Sequence, residues 1–253
     1  MAKIRLDRPA DGVRLLTLDD HAHRNAIDSA MRDELSSAVA RLAADTAARA
    51  VVVTGAGSAF CAGANLPELF GAAASTATGL RIELMRVYAS FLAVRDLPVP
   101  VIAAVNGPAV GAGVNLALAC GIRYLAPGAF LDISFVRLGI HPGGGATAFL
   151  TEALGASRAL ELILRGARIE AGQALEAGLA NAVVDDPLAY ALEFAAQLAA
   201  QDPELIRDIV ATARTAATGN LGAVVTAEAV AQAASLLRNP AVLASRESRQ
   251  RSQ

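Results

Sequence analysis

The chain has 253 residues, a formal net charge of -2, 54% hydrophobic residues, only 4% aromatic residues and no tryptophan. That length fits one large domain or one domain with an appendage, and the alanine-rich apolar share fits a globular protein whose core is built from Ala, Val, Leu and Ile. A near-neutral balance without a long basic run argues against nucleic acid or a membrane surface as a partner. Cys61 and Cys120 are too few for a disulfide framework, and the opening MAKIRLDRPADG lacks the apolar stretch of a signal peptide, so a cytoplasmic protein is expected.

Residues 3–19 read as a hairpin turning at Asp11-Gly12, followed by the loop HAHRNAID. Asp28 is placed to cap a helix over 28–44, whose Met31, Leu35, Ala38 and Leu42 share one stripe. Residues 50–54 form a continuous apolar strand of the kind buried on both faces. The small-residue loop GAGSAFCAGAN then leads to a helix start capped by Asn65, with Pro67 in its first turn. A helix is predicted over 79–95, with Leu84, Val87, Phe91 and Val94 on one side and Asp96-Leu97-Pro98 at its end.

The strand 99–105 breaks at Asn106-Gly107 into a glycine-rich turn and an apolar helix ending near Cys120. This run is long enough to span a membrane, but Pro98, Pro100, Asn106, Pro108 and Asn115 interrupt it and exclude that reading. Short strands are predicted at 122–126 and 130–134. After the loop LGIHPGGG the pattern is helical at 146–154, 157–164 and 169–177, with one strand at 182–184. Helices at 187–200, 203–217 and 222–237 follow, and the polar tail 245–253 is expected to fray. The alternation predicts a mostly parallel sheet in a core domain, 1–195, and a helical region, 196–253, that covers the core or joins subunits.

Two stretches carry the chemistry. SAFCAGAN and NGPAVGAG each follow an apolar strand and precede a helix, which puts both at the carboxyl ends of neighbouring strands, where open α/β sheets bind ligands. A strand opening straight into a helix leaves backbone N–H groups without intrahelical partners. The glycines at 107, 111 and 113 either admit a ligand close to the main chain or serve tight packing of the helix. Two converging donors make an oxyanion hole, in which each donor is worth about 3 kcal/mol.

With RNAID, FCAGAN, AAVNGPAVGAGVNLALAC, LGIHPGGG and AGQALEAGLANAVV in this order and spacing, the chain resembles the enoyl-CoA hydratase and isomerase (crotonase) superfamily over nearly its whole length. The resemblance implies an α/β fold, a spiral of ββα turns in two stacked sheets with a C-terminal helical region that usually drives homotrimers or dimers of trimers. It implies an acyl-CoA thioester as ligand, in fatty-acid metabolism, with coenzyme A as part of the substrate and neither a separate cofactor nor a metal. By that likeness the hole donors are the N–H groups of Ala64 and Ala112, which polarise the thioester carbonyl and stabilise an enolate. Gly111 lies beside them. Arg24 and Ala26 lie near the nucleotide end of the ligand, and Ala62, Ala64 and Leu66 line its adenine and pantetheine path. Arg24 either pairs with a phosphate or is a solvated loop arginine.

Two positions depart from the hydratase pattern. Where hydratases of the family carry glutamates, this chain has Asn115 and, at the second position, Ser134 or Phe135. Asn115 can orient a water or a substrate but cannot exchange a proton near neutral pH. His141 has a suitable intrinsic pKa and either faces the acyl group or hydrogen-bonds its own turn. Asp132 either moves a proton or pairs with an arginine such as Arg137. Glu152, His21 and His23 read as surface residues, and both cysteines as small core residues. The expectations are an enzyme in which His141 or Asp132 moves the proton, a binding protein that keeps the acyl-CoA pocket, or another enolate reaction such as decarboxylation, thioester hydrolysis or ring closure.

Overall fold

Alternating apolar residues before and after Gly12 make β1 (Ile4–Ala10) and β2 (Val13–Leu18) an antiparallel hairpin, with Ile4 opposite Leu18 and Ala10 opposite Val13. In the computed structural model, which describes residues 2–71 and 76–239, α1 (Ser29–Ala44) follows, capped by Asp28, whose carboxylate accepts from Met31 N at 2.8 Å. β3 (Ala50–Gly55) pairs parallel to β2, and after α2 (Leu66–Phe70) and α3 (Ala77–Leu92) the chain returns as β4 (Val101–Val105), parallel to β3. β5 (Ala109–Val110) and α4 (Ala112–Ala119) come next, then β6 (Ile122–Leu125) and β7 (Phe130–Asp132). Helices α5 (Ala146–Leu154) and α6 (Ala156–Arg165) lead to β8 (Arg168–Glu170), α7 (Ala171–Glu176), β9 (Ala182–Val183) and α8 (Pro187–Ala199).

Six strands form one sheet in the order β1-β2-β3-β4-β6-β9, parallel except for the β1 hairpin, and β5-β7-β8 form a second. Successive residues of a strand point to opposite faces, so an unbroken apolar strand must be covered on both. In β2 and β3, Leu16, Leu18, Val51 and Val53 join the main core with Met31, Leu35, Val87 and Phe91. Val13, Leu15, Ala50 and Val52 face the other way with Ile102 and Ala104, against Ala191 and Ala195 of α8.

The chain divides into two compact units, 1–199 and 200–253, the first closing with the end of α8. In the second unit α9 (Pro203–Thr218) and α10 (Leu221–Arg238) pack on each other, and Arg238 at the end of α10 meets Asp202, Glu204 and Asp208. The expected fraying of 245–253 lies outside the described residues.

Several expectations need correction. The helix predicted over 169–177 begins only at Ala171, because Arg168–Glu170 pairs antiparallel with β7, leaving buried Ile169 opposite Leu131 and Glu170 to cap α7 reciprocally with Gln173. The strand placed over 130–134 ends at Asp132. The long helix starts earlier than predicted, at Ala77, since the Thr76 hydroxyl accepts from Gly79 N at 3.0 Å, and gives way to a 3-10 turn at Ala93–Asp96. β5 was not anticipated: a strand of two residues has too short a pattern to be seen.

Candidate functional site

The loop after β3 and the turn after β4 are bonded to each other along their length. Phe60 N donates to Pro108 O at 3.0 Å, Val110 N to Cys61 O at 2.9 Å, and Cys61 pairs with Ala109 in a parallel bridge. This closeness needs glycine at two points. A Cβ on Gly113 would collide with Cys61 O, and one on Gly63, which sits at φ +90°, would lie 2.6 Å from Val110 O and 3.6 Å from Ala112 N.

The RNAID loop runs along the outer side of the same segment. Ala62 N donates to Arg24 O at 2.9 Å, Ile27 N to Gly63 O at 2.8 Å, and Asn65 N to Ile27 O at 2.8 Å. In the resulting Ile27–Ala64 bridge both hydrogen bonds are made by Ile27, so the N–H of Ala64 faces away from it. Ala112 is the first residue of α4, where an N–H has no intrahelical acceptor, and the helix ladder starts with Asn115 N donating to Gly111 O at 3.2 Å. Among the described residues, neither amide has a protein acceptor. Ala64 and Ala112, both partly buried residues, therefore lie on neighbouring segments that follow β3 and β4 and are bonded to each other.

Two asparagines hold this arrangement. Fully buried Asn25, at φ 57°, donates to Ala56 O at 3.0 Å and Ala59 O at 2.9 Å while its Oδ1 accepts from Asp20 N at 2.9 Å. Asn106 accepts from Gly55 N at 3.2 Å and donates to Gly57 O at 3.0 Å. Neither was singled out from the sequence for this role; the signal was a polar residue beside glycine or a loop arginine, which fits many turns. Lys3 adds a third tie, bonding Asp20 at 2.7 Å and Asp28 as well.

The LGIHPGGG loop is tied to α4 through Asn115. Asn115 is 1% exposed; its Nδ2 donates to Gly143 O at 2.8 Å, and its Oδ1 has no partner among the described residues. Tyr88 of α3 lies against the same backbone: a Cβ on Gly143 would strike its hydroxyl, and the Gly144 N–H faces its oxygen. Burial pushes the phenol pKa up, and that N–H works against the rise. Tyr88 was missed because it stands one residue beyond the Val87 and Phe91 stripe, at the edge where a helix tyrosine reads as packing.

The remaining sequence candidates are placed as follows. Phe135, half-buried, packs on the core, and the Ser134 hydroxyl would be 3.9 Å from a Cβ on Gly111. Arg137 takes both carboxylate oxygens of Asp132, at 2.6 and 2.8 Å, and also reaches Gly166 O. Asp132 is thus engaged, and its own carbonyl accepts from Gly111 N at 3.0 Å, holding the turn in place. Exposed His141 bonds through Nδ1 to Pro142 O at 2.7 Å, within its own turn. Arg24 is exposed in the left-handed region at φ 52°, with Ala26, Ala62 and Leu66 partly buried nearby in the chain. His23 meets Asp20 at 2.8 Å, and Glu152 meets Arg95 at 3.0 Å, both in exposed settings. Cys61 and Cys120 are fully buried, and burial pushes each thiol up to about 12, which leaves them protonated and inert. Among the described residues no group of three or more His, Cys, Asp or Glu is placed to hold a metal, and no helix is long and apolar enough to cross a membrane.

The fold is that of an α/β protein with two sheets, in which the loop after β3 and the turn after β4 are bonded side by side. A sequence profile of the enoyl-CoA hydratase/isomerase family matches residues 8–240, and the chain belongs to that family. It is 47% identical over 210 residues to the probable enoyl-CoA hydratase EchA14 of Mycobacterium tuberculosis, covering 83% of this chain and 81% of that protein. It is 38% identical to the 2,3-dehydroadipyl-CoA hydratase of Escherichia coli, covering 76% and 74%. Among solved structures, an enoyl-CoA hydratase from Bacillus anthracis superposes with a TM-score of 0.85 at 33% identity, covering 91% of this chain and 89% of that one. The expected superfamily and crotonase-like fold are thereby established.

Proposed function

We propose that this protein binds an acyl-CoA thioester with its carbonyl oxygen between the Ala64 and Ala112 N–H groups, and that these donors favour an enolate. The observation that supports the reading is that the Gly63 segment runs too close to Val110 and Ala112 to admit a side chain at Gly63, while the Ala64 and Ala112 N–H groups have no protein acceptor among the described residues. Because the donors are main-chain groups, alanine at both positions costs nothing, and each contributes about 3 kcal/mol where negative charge develops. The α-proton of such a thioester is acidified by the polarised carbonyl, and the hole holds the resulting charge.

Arg24 and Ala26, with Ala62 and Leu66, are proposed to line the path of the CoA moiety, Arg24 meeting a phosphate. Gly111 and Ser134 border the thioester, and Phe135 the acyl chain. Enoyl-CoA hydratase or isomerase chemistry then needs a proton carrier. Asp132 is committed to Arg137 and His141 to its turn, so neither is a ready base as the site stands. A binding role without hydration is the second reading, favoured by neutral Asn115 and by Ser134 or Phe135 at the two positions where the resemblance expects carboxylates. We further propose assembly into a homotrimer or dimer of trimers, in the cytoplasm; Leu221, Val225, Val230 and Leu237, all exposed on α10, support an assembly.

Calorimetry with a saturated acyl-CoA, its free acid and CoA alone tests the binding claim. Micromolar affinity for the thioester only is expected, and no thioester binding would overturn it. Turnover of crotonyl-CoA and of a 3-enoyl-CoA then separates the two readings: conversion supports the enzyme, and binding without conversion the carrier.

A further inference from the structure

The loop between Asp20 and Asp28 holds two consecutive residues in the left-handed region, Arg24 at φ 52° and Asn25 at φ 57°. Side chains disfavour that conformation, arginine more than asparagine, and it persists only where the surroundings over-determine it. Asn25 is buried and held from the inner side, by Ala56 O and Ala59 O. Arg24 is exposed, so the shape of its turn has to be imposed from elsewhere.

Lys3 closes the loop from the other side. Its Nζ bonds Asp20 Oδ2 at 2.7 Å and also Asp28 Oδ2, which are the two ends of the loop. The second oxygen of each carboxylate serves its own turn: Asp20 Oδ1 faces His23 Nδ1 at 2.8 Å, and Asp28 Oδ1 accepts from Met31 N at 2.8 Å. Lys3 stands on a fixed base, because its N–H donates to Glu34 Oε2 at 2.7 Å and its carbonyl accepts from Asp19 N at 2.7 Å. Of the 22 lysines and arginines in the chain, only this one is a lysine. A compact ammonium with three donors bridges two separate carboxylates, whereas a flat guanidinium fork is shaped to meet one.

We propose that Lys3 is a positioning residue for ligand binding: by pinning both ends of the 20–28 loop it keeps the Arg24 turn in its left-handed form before the ligand arrives. Arg24 then meets a phosphate of the CoA moiety without the cost of ordering its backbone first. Without the ammonium, Asp20 and Asp28 lose their common partner and the turn relaxes toward ordinary φ. The inference rests on the acyl-CoA reading above and on the place of Arg24 in it.

Calorimetry of one saturated acyl-CoA on the full chain tests it through a double-mutant cycle. In Lys3→Met and in Arg24→Gln the dissociation constant should rise about tenfold each, and adding Lys3→Met to Arg24→Gln should cost less than about twofold more, since Lys3 acts through Arg24. A merely structural role for Lys3 gives losses that multiply. That result, or an unchanged affinity in either single variant, would overturn the inference. Asp20→Asn, which leaves Asp28 to cap α1, takes the place of Lys3→Met in the same cycle if that variant does not fold. Absence of acyl-CoA binding by the unaltered protein would instead overturn the reading on which the inference rests.

Discussion

The two sides of the site are built on different principles. On the proposed carbonyl side the donors are backbone amides, carried on segments that glycine contacts and hydrogen bonds zip together, the loop after β3 and the turn after β4. On the proposed acyl side the candidates are side chains, and two of them are already engaged: Asp132 by Arg137, His141 by Pro142. Backbone donors survive substitution of the residues that carry them, whereas acid–base chemistry is lost with a single side chain. That is why the proposed amide donors can persist on a chain that has Asn115, and Ser134 or Phe135, at the two positions where the resemblance expects glutamates.

The largest expected effect comes from deleting a hole donor. Ala112 is the first residue of α4, where proline is tolerated, so Ala112→Pro removes one N–H with little disturbance of the helix. Catalysed α-proton exchange of a bound acyl-CoA in deuterated water, followed by NMR, should fall at least about a hundredfold, while the melting temperature changes little. An unchanged exchange rate would break the contrast between the two sides.

Next is the clamp that sets the hole. Asn25→Ala strips hydrogen bonds from buried Ala59 O and from Asp20 N, and a stability loss of about 2 kcal/mol is expected in chemical denaturation. A smaller effect follows from the Lys3 tie. Burial pushes the Asp20 and Asp28 carboxyls up, but Lys3, together with His23 at Asp20 and the Met31 N–H at Asp28, outweighs it, and both end below the usual 3.8. Their contribution is therefore complete above the usual carboxylate pKa and is lost as pH falls through the lower folded values. Lys3 is raised above 10.5, so its share persists below that value and fades only at still higher pH. Melting curves of the unaltered protein should lose stability below about pH 4, and Lys3→Met should flatten that slope. Smallest of all, His141→Ala should change acyl-CoA affinity less than about twofold, because the side chain bonds only its own turn. A large loss there would return His141 to the chemistry.

The same contrast explains what could be read from the sequence. The buried strands β3 and β4, the Asp28 cap and the two small-residue turns were visible because apolar runs and glycine spacing write them into the chain. The pairing Ile27–Ala64 and the strand β5 were not, because bridges of one or two residues leave no period. The spacing from Ile169 to Ala177 reads as helix, while the partner that makes 168–170 a strand, β7, is distant in sequence. Asn25 and Tyr88 escaped notice for a related reason. Their importance lies in partners 31 to 56 positions away, Ala56 and Ala59 for one and the Gly143-Gly144 backbone for the other, which only the fold brings near.

The central claim is that the Ala64 and Ala112 amides polarise a thioester carbonyl. Isotope-edited infrared spectroscopy of an acyl-CoA labelled at its carbonyl carbon reads this directly. On binding, the carbonyl stretch should move to lower frequency than in water, and Ala112→Pro should return much of that shift. A bound thioester whose carbonyl stretch stays at its solution value would contradict the account.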